Sequence, residues 1–290
     1  MISDESSSPW VRTAWRGEAA WRSDCRGGCA IVSEACARLI YLGTSDGSIN
    51  LLNAPQARVL SDDGISNQGG HRFWLGPQHH WIWPPPTEWE YSPAMSCSVD
   101  CGVLIVKHAR IDPAYPALTR EYAWEGRRLR CTVRWNDEGQ RYFGMHVIAV
   151  DTPFAITARL APSEAAPAGL VLARMVDPEP AIQLPHPAIL LNDGHATVRA
   201  GMRVVKLGFV PQPLTIGRPD GWSLSMHPGP CGGTSGESPD HAYLSQVWVG
   251  DDSSDFAEIE QITPFLSAER SGQCFSTIFI EAHPPAHPPL

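Results

Sequence analysis

The sequence predicts an all-β protein of stacked antiparallel sheets. Three observations predict it: short apolar or alternating runs recur along the whole chain, Asp-Gly-type turns separate them, and proline or glycine interrupts every helical window. The runs are Cys29 to Ser33, Arg38 to Leu42, Val103 to Ile111, Leu118 to Trp124, Leu129 to Trp135, His146 to Asp151, Phe154 to Leu160, Val204 to Val210, Trp222 to Met226, Leu244 to Val249, Ala257 to Ile262 and Ser276 to Ile280. Ser45-Asp46-Gly47, Asn136-Asp137-Glu138-Gly139, Asn192-Asp193-Gly194 and Pro219-Asp220-Gly221 each set Asp near a glycine that accepts a positive φ, the signature of a hairpin turn. The best helical window, Ala161 to Met175, contains Pro162, Pro167 and Gly169, so little more than a turn survives there. About a dozen strands or more, with no helix beyond roughly three turns, imply a sandwich or a large barrel.

At 290 residues the chain can form one large β unit, and its 43% hydrophobic content is spread evenly enough to bury a core. Residues 1–8 form a polar, acidic tail and residues 282–290, AHPPAHPPL, a proline-dense one that cannot pair as a central strand, leaving residues 9–281 as a single domain. A net charge of −9 offers no basic stripe for a phosphate backbone, which argues against nucleic acid. No run approaches the roughly 18 apolar residues that span a bilayer, and the N-terminus lacks the basic and apolar regions of a leader, so the chain reads as cytoplasmic with no membrane contact.

Eight cysteines in a chain of this length need no disulfides. Cys25-x3-Cys29 and Cys97-x3-Cys101 have spacings seen at zinc sites, yet residues i and i+4 of a strand lie roughly 13 Å apart, so buried structural cysteine and no metal is the expectation.

Two segments carry candidate chemistry. Gln68 to Tyr91 holds Trp74, Trp81, Trp83 and Trp89, four of the chain's eleven tryptophans, around Pro84-Pro85-Pro86, which excludes ladder pairing and fixes a stiff loop or edge. Large rings with an N–H suit a ligand with apolar faces and polar edges, as a pyranose has. His71, Arg72, His79 and His80 lie in the same segment. In Ala257 to Pro264, strand alternation sends Glu258 and Glu260 to one face, roughly 6.5 to 7 Å apart, and repulsion plus desolvation raises one pKa if that face is recessed.

These segments resemble the galactose mutarotase-like superfamily, and within it an uncharacterised DUF4380-type branch. The resemblance is carried by Ala37-Arg38-Leu39-Ile40 with Asn50-Leu51-Leu52, Gly69-Gly70-His71-Arg72-Phe73-Trp74 with Trp83-Pro84-Pro85-Pro86, Lys206-Leu207-Gly208, and Glu258-Ile259-Glu260 with Pro264. It implies an antiparallel β-supersandwich that holds a hexose or an oligosaccharide. It also implies a cofactor-free aldose 1-epimerase chemistry, in which a late-strand glutamate takes the anomeric proton and a histidine protonates the ring oxygen. Glu260 matches that glutamate first and Glu258 second. Arg72 matches a sugar-binding arginine, joined in the binding set by Trp74, His80, Trp83, Trp89 and Lys206, and His146 and His71 are the candidate acids. The family's histidine is followed by Tyr-Phe-Asn, whereas here Tyr142-Phe143 precedes His146. A non-catalytic sugar-binding or sugar-sensing module is therefore the rival reading, and a glycoside hydrolase the third, because paired carboxylates of a hydrolase flank the scissile bond from opposite sides. Arg72, Glu260 and at least two of the four tryptophans are expected on one surface; the sequence leaves the oligomeric state open.

Overall fold

A computed structural model describes residues 9–26, 28–53, 69–81, 84–90, 92–136, 139–151, 154–164, 166–172, 186, 189–199, 205–250, 256–268 and 272–286. Four strands open the chain as a meander, β1 (Val11–Trp15), β2 (Glu18–Cys25), β3 (Gly28–Ser33) and β4 (Arg38–Gly43). β5 (His71–Gly76) leads through a 3-10 turn at Gln78–His80 to a single-turn helix, α1 (Thr87–Glu90). Then come β6 (Ala94–Asp100), β7 (Val103–His108), β8 (Thr119–Glu125), β9 (Arg128–Asn136), β10 (Phe143–Asp151), β11 (Ala155–Arg159) and β12 (Val171–Leu172). The remainder is β13 (Ile189–Asn192), β14 (His195–Arg199), β15 (Val205–Phe209), β16 (Leu214–Gly217), β17 (Ser223–Gly232), β18 (Thr234–Ser235), β19 (Ser245–Val249), β20 (Phe256–Ile262), β21 (Leu266–Ser267) and β22 (Gln273–His283).

Every ladder between these strands is antiparallel. A ten-stranded sheet runs β13-β14-β11-β16-β17-β22-β9-β8-β7-β6, a six-stranded sheet β12-β15-β19-β20-β10-β5, and β1 to β4 form their own sheet. The core lies between the layers: Ile148, Leu207, Val247 and Ile259 of the six-stranded sheet meet Leu104, Leu129, Leu224 and Ile280 of the ten-stranded one, with Val32 and Leu39 of the meander. Each such side chain contributes roughly 1.5 to 3 kcal/mol by leaving water. Because strand residues alternate, burying this face turns the intervening residues of β10, β15, β19 and β20 outward. No helix of the described residues is long and apolar enough to cross a membrane.

Each run read from sequence overlaps a strand, although the run from Val103 leaves its strand after His108 and Val204 lies outside the described residues; the turns at Asn192-Asp193-Gly194 and Pro219-Asp220-Gly221 close the β13–β14 and β16–β17 hairpins. Asn136 to Gly139 does not close a hairpin, because β9 belongs to the ten-stranded sheet and β10 to the six-stranded one; Asp137 and Glu138 lie outside the described residues. β22 continues to His283, paired with Ser223, so the proline-dense tail starts after the assigned boundary at residue 282. All eight cysteines are free; of the four with zinc-like spacing Cys29 is buried, Cys25 and Cys97 are partly buried and Cys101 is exposed, which corrects the expectation of burial for Cys101.

β5 starts where it does because Gly69 (φ 56°) and Gly70 (φ 75°) turn the chain in the left-handed region, and a side chain at either would strike the backbone of Asn53 or Leu39. Asn53 fixes this corner by accepting from Gly70 N at 2.5 Å and donating its own N–H to Ala149 O at 2.8 Å. β5 is thereby laid along β10 as the edge of the six-stranded sheet.

Candidate functional site

Register places the candidate carboxylates. In the six-stranded sheet, Lys206, Trp248, Glu258 and Ala149 stand opposite one another in one row, and Gly208, Gln246, Glu260, Val147 and Arg72 in the next. Directly opposed residues share a face, so Lys206, Trp248, Glu258, Gln246, Glu260 and Arg72 form a polar stripe on the side away from the core. Arg72 and Glu260 flank Val147, two ladder spacings or about 10 Å apart. Two positions of the stripe are covered: Ala149 has no exposure, and a side chain at Gly208 would meet Tyr243 and Val171.

Two crossed ion pairs fill the stripe. Lys206 Nζ meets Glu260 Oε2 at 2.8 Å, and Arg72 Nη1 meets Glu258 Oε1. The side chains are recessed, with exposures of 5% for Arg72, 12% for Glu258, 21% for Lys206 and 3% for Glu260. Burial raises the pKa of Glu258 above the usual carboxylate range; Arg72 opposes this, and the charge of Glu260 adds to it. Lys206 is held above its usual range, because Glu260 outweighs the burial that works against its charge. Within the stripe, Gln246 donates to Asp240 Oδ2 at 2.5 Å and to Tyr243 O at 3.1 Å, while its Oε1 has no partner among the described residues. Asp240 (φ 47°) and Ala242 (φ 69°) are non-glycine residues in the left-handed region, as are Arg16, Ala37, Cys101 and Asp193 elsewhere.

Behind Arg72 stands Glu90, fully buried. Its Oε1 accepts from Arg72 Nε and Arg38 Nη1, both at 2.8 Å, and its Oε2 accepts from Trp74 Nε1 at 2.9 Å. Burial alone would raise this carboxyl, but Arg38 and Arg72 bring it down to about 2. The Arg72 guanidinium also lies 5.0 Å from the centre of the Trp74 ring, a cation–π contact.

The expected acids are elsewhere. His71 and His146 have no exposed surface and project to the core face, opposite to Arg72 and Glu260, so neither reaches a ligand on the stripe. Their rings stack 5.2 Å apart, with His71 Nε2 2.9 Å from His146 Nδ1 and His146 Nε2 2.9 Å from Ser276 Oγ. Burial and the nearby Arg120 hold His146 down at about 3, and burial with the His146 charge holds His71 well below 6.5. His108, which accepts from Arg120 Nε at 2.9 Å, is also near 3 through burial and then Arg120.

Because all three are depressed in the fold, the unfolded chain binds their protons first. The stabilising contribution of the neutral rings is fully present above about 6.5 and is lost as pH falls toward about 3. Urea midpoints are therefore expected to fall steadily from pH 6.5 to about 4, and His146→Gln to flatten that slope by close to one proton. A pH-independent midpoint over this window would show the imidazoles to be solvated.

The tryptophan reading needs correction. Trp89 has no exposure and spends its Nε1 on Pro116 O at 3.0 Å; Trp81 is 4% exposed and donates to Leu75 O at 2.7 Å. Both rings belong to a buried cluster with Phe73, Trp74, Leu118 and Trp135, where Trp81 packs edge-on to Trp74 and to Trp89, and neither presents a face to a sugar. Trp74 alone of the described three is on the stripe face, and it too is buried, at 6% exposure, in the same cluster, so two ligand-facing tryptophans are not shown; Trp83 lies outside the described residues. His80 is exposed in the turn after β5, where its ring neighbours are His79 and Tyr142. Trp248, half-buried between Lys206 and Glu258, is an aromatic of the stripe that sequence reasoning did not single out, together with Glu90, Gln246 and Asp240.

A cavity of about 170 Å³ opens elsewhere, between β17, β20 and β22, lined by Pro228, Gln261, Thr263 and Ser276 among others. Its polar groups are committed internally: Ser276 to His146, Gln261 to Ser245 and Gln212, and Thr263 to Pro264 O. Carboxylates, with up to four lone-pair sites each, leave more for a sugar's hydroxyls. Among the described residues no group of three His, Cys, Asp or Glu is placed to hold a metal ion.

No family model matches the chain, and no curated protein does. Solved structures do. YeaD of Salmonella typhimurium, a proposed mutarotase, superposes with a TM-score of 0.60 at 11% identity, covering 95% of this chain and 94% of its own. A galactose mutarotase related enzyme from Lactobacillus acidophilus gives 0.51 at 7% identity, covering 97% and 100%. Slr1438 from Synechocystis gives 0.52 at 10%, covering 97% and 98%. The chain has the antiparallel, galactose mutarotase-like β-sandwich fold.

Proposed function

We propose that the Arg72–Glu258–Glu260–Lys206 stripe binds an aldose and exchanges its anomers without a cofactor. The single observation that carries this reading is a pair of recessed carboxylates on one strand, Glu260 on the Lys206 ammonium and Glu258 on the Arg72 guanidinium, of which Glu258 has its pKa raised by burial against the pull of Arg72. Glu260 takes the proton of the anomeric hydroxyl. Its O–H electrons form the C1=O bond, the bond from C1 to the ring oxygen breaks, and that oxygen takes the proton of Glu258. Rotation about C1–C2 presents the other carbonyl face, and the same steps in reverse return both protons. Arg72 stabilises Glu258 once it is ionised. Trp248, half-buried on the stripe, offers an apolar face for a pyranose to pack against.

This scheme gives Glu258 the part that sequence assigned to a histidine. Loss of its acid form sets the alkaline limb: exchange is expected to decline as pH rises through the raised pKa of Glu258, and to do so at lower pH once the carboxyl is freed of its burial. The placing of His71 and His146 behind the sheet favours the second reading, a sugar-binding module without turnover. Membership of a DUF4380-type branch remains part of the proposal and rests on the motifs alone. Saturation-transfer NMR with D-glucose, D-galactose and short oligosaccharides tests binding. Saturation transfer to at least one sugar, reduced tenfold in affinity by Lys206→Met, supports the stripe, whereas no transfer to any would remove sugar from the account.

A further inference from the structure

We infer that Glu90 is a positioning residue, holding the Arg72 guanidinium in register with Glu258, and that the proline-stiffened tryptophan segment is the mount that delivers it. The inference rests on the reading above in which Arg72 faces the ligand. A guanidinium is planar, so fixing its Nε fixes the direction of both Nη groups. Glu90 takes that Nε at 2.8 Å, and the Trp74 ring lies 5.0 Å from the same guanidinium. What remains is the edge whose Nη1 reaches Glu258. Trp74 is itself tied to Glu90 Oε2, so one carboxylate orients both groups that β5 presents to the stripe.

The mount explains the segment's composition. Pro84 to Pro86 restrict the approach to α1, whose first turn is closed by Trp89 N donating to Pro86 O at 2.9 Å. Next to Glu90, the Trp89 ring is locked by Pro116 O, by Trp81 at 6.3 Å and by Tyr115 at 5.4 Å. Four residues of helix would not hold a buried anion by themselves; the interlocked rings do. Arg38 is the second cation on Glu90, and its Nε and Nη2 have no partner among the described residues, so its charge depends on this carboxylate.

Glu90→Gln alone strands two buried guanidiniums and endangers folding. The charge-balanced pair Arg38→Met with Glu90→Gln removes one cation with the anion, and Arg38→Met alone is its reference. The first readout needs no ligand: hydrogen exchange of the Arg72 Nε–H, identified by its disappearance in Arg72→Lys. Exchange at least tenfold faster in the balanced pair than in wild type and in Arg38→Met is expected, and unchanged protection would overturn the inference whether or not any sugar binds. The second is affinity for D-galactose and D-glucose. The balanced pair should bind the preferred sugar at least tenfold more weakly, and the difference should vanish in an Arg72→Lys background because Glu90 acts through Arg72. Additive losses would make Glu90 a fold-stabilising anion only. If wild type binds neither sugar, the functional reading fails and the Nε–H exchange still decides this one.

Discussion

Glu260→Gln is expected to lower the rate of anomer exchange by roughly 10²- to 10⁴-fold, the usual contribution of a positioned general base, while sugar affinity changes by less than about threefold. The amide keeps the shape of the carboxylate and can still bond to the Lys206 ammonium, but it cannot take the anomeric proton. Glu258→Gln should also lose turnover, and its residual rate should no longer decline on the alkaline side, because the group whose acid form sets that limb is gone. Glu281→Gln, on the outward face of the ten-stranded sheet beside Arg128, is the control and should leave both quantities unchanged. Line-shape or exchange spectra of an equilibrated hexose measure the rates directly. Near-wild-type rates in both Glu260→Gln and Glu258→Gln would take the carboxylates out of the mechanism.

Arg120→Ala is expected to cost about 3–5 kcal/mol of stability, lowering Tm by on the order of 10 °C. Arg120 has no exposure and donates to His108 Nε2 at 2.9 Å, His71 O at 3.0 Å and Trp89 O at 3.3 Å. It thus joins β8 to β7, to the edge strand β5 and to α1, close to where the ligand-facing residues are set. Truncation leaves three buried acceptors unsatisfied and a void where the side chain was. Arg120→Met, which fills the space, should recover part of the loss, and the exposed Arg127→Ala should stay within about 0.5 kcal/mol of wild type. Calorimetry decides it; a change below about 1 kcal/mol for Arg120→Ala would mean that water replaces the guanidinium at little cost.

Period-two patterning made most of the strands legible, since it depends only on which residues face the core. β1, exposed over four of its five residues, has no apolar alternation to read, and the Asn136 turn has hairpin chemistry but joins different sheets. The site was legible in part. Glu258 and Glu260 on one strand face follow from alternation, and Arg72 and Lys206 join them only through pairing with strands far along the chain. Alternation would also have separated His71 from Arg72, since neighbours on a strand point to opposite faces. The prolines at 84–86 drew the reading of the whole segment toward a loop, although β5 ends at Gly76. Whether a tryptophan is a platform or a buried strut depends on what packs over it, and for Trp89 that is Pro116, Tyr115 and Trp81. Glu90 showed no sign in the sequence because its three partners lie on β4 and β5 and come together only in the fold.

The most direct test of the central claim is two-dimensional exchange NMR of α- and β-hexoses with sub-stoichiometric wild-type protein, across D-glucose, D-galactose and their epimers near neutral pH. The account predicts, for at least one sugar, cross-peaks between anomers that grow in proportion to protein concentration and disappear with Glu260→Gln. Binding of such sugars with anomer exchange no faster than in buffer would contradict catalysis and leave the stripe as a site that binds without turnover.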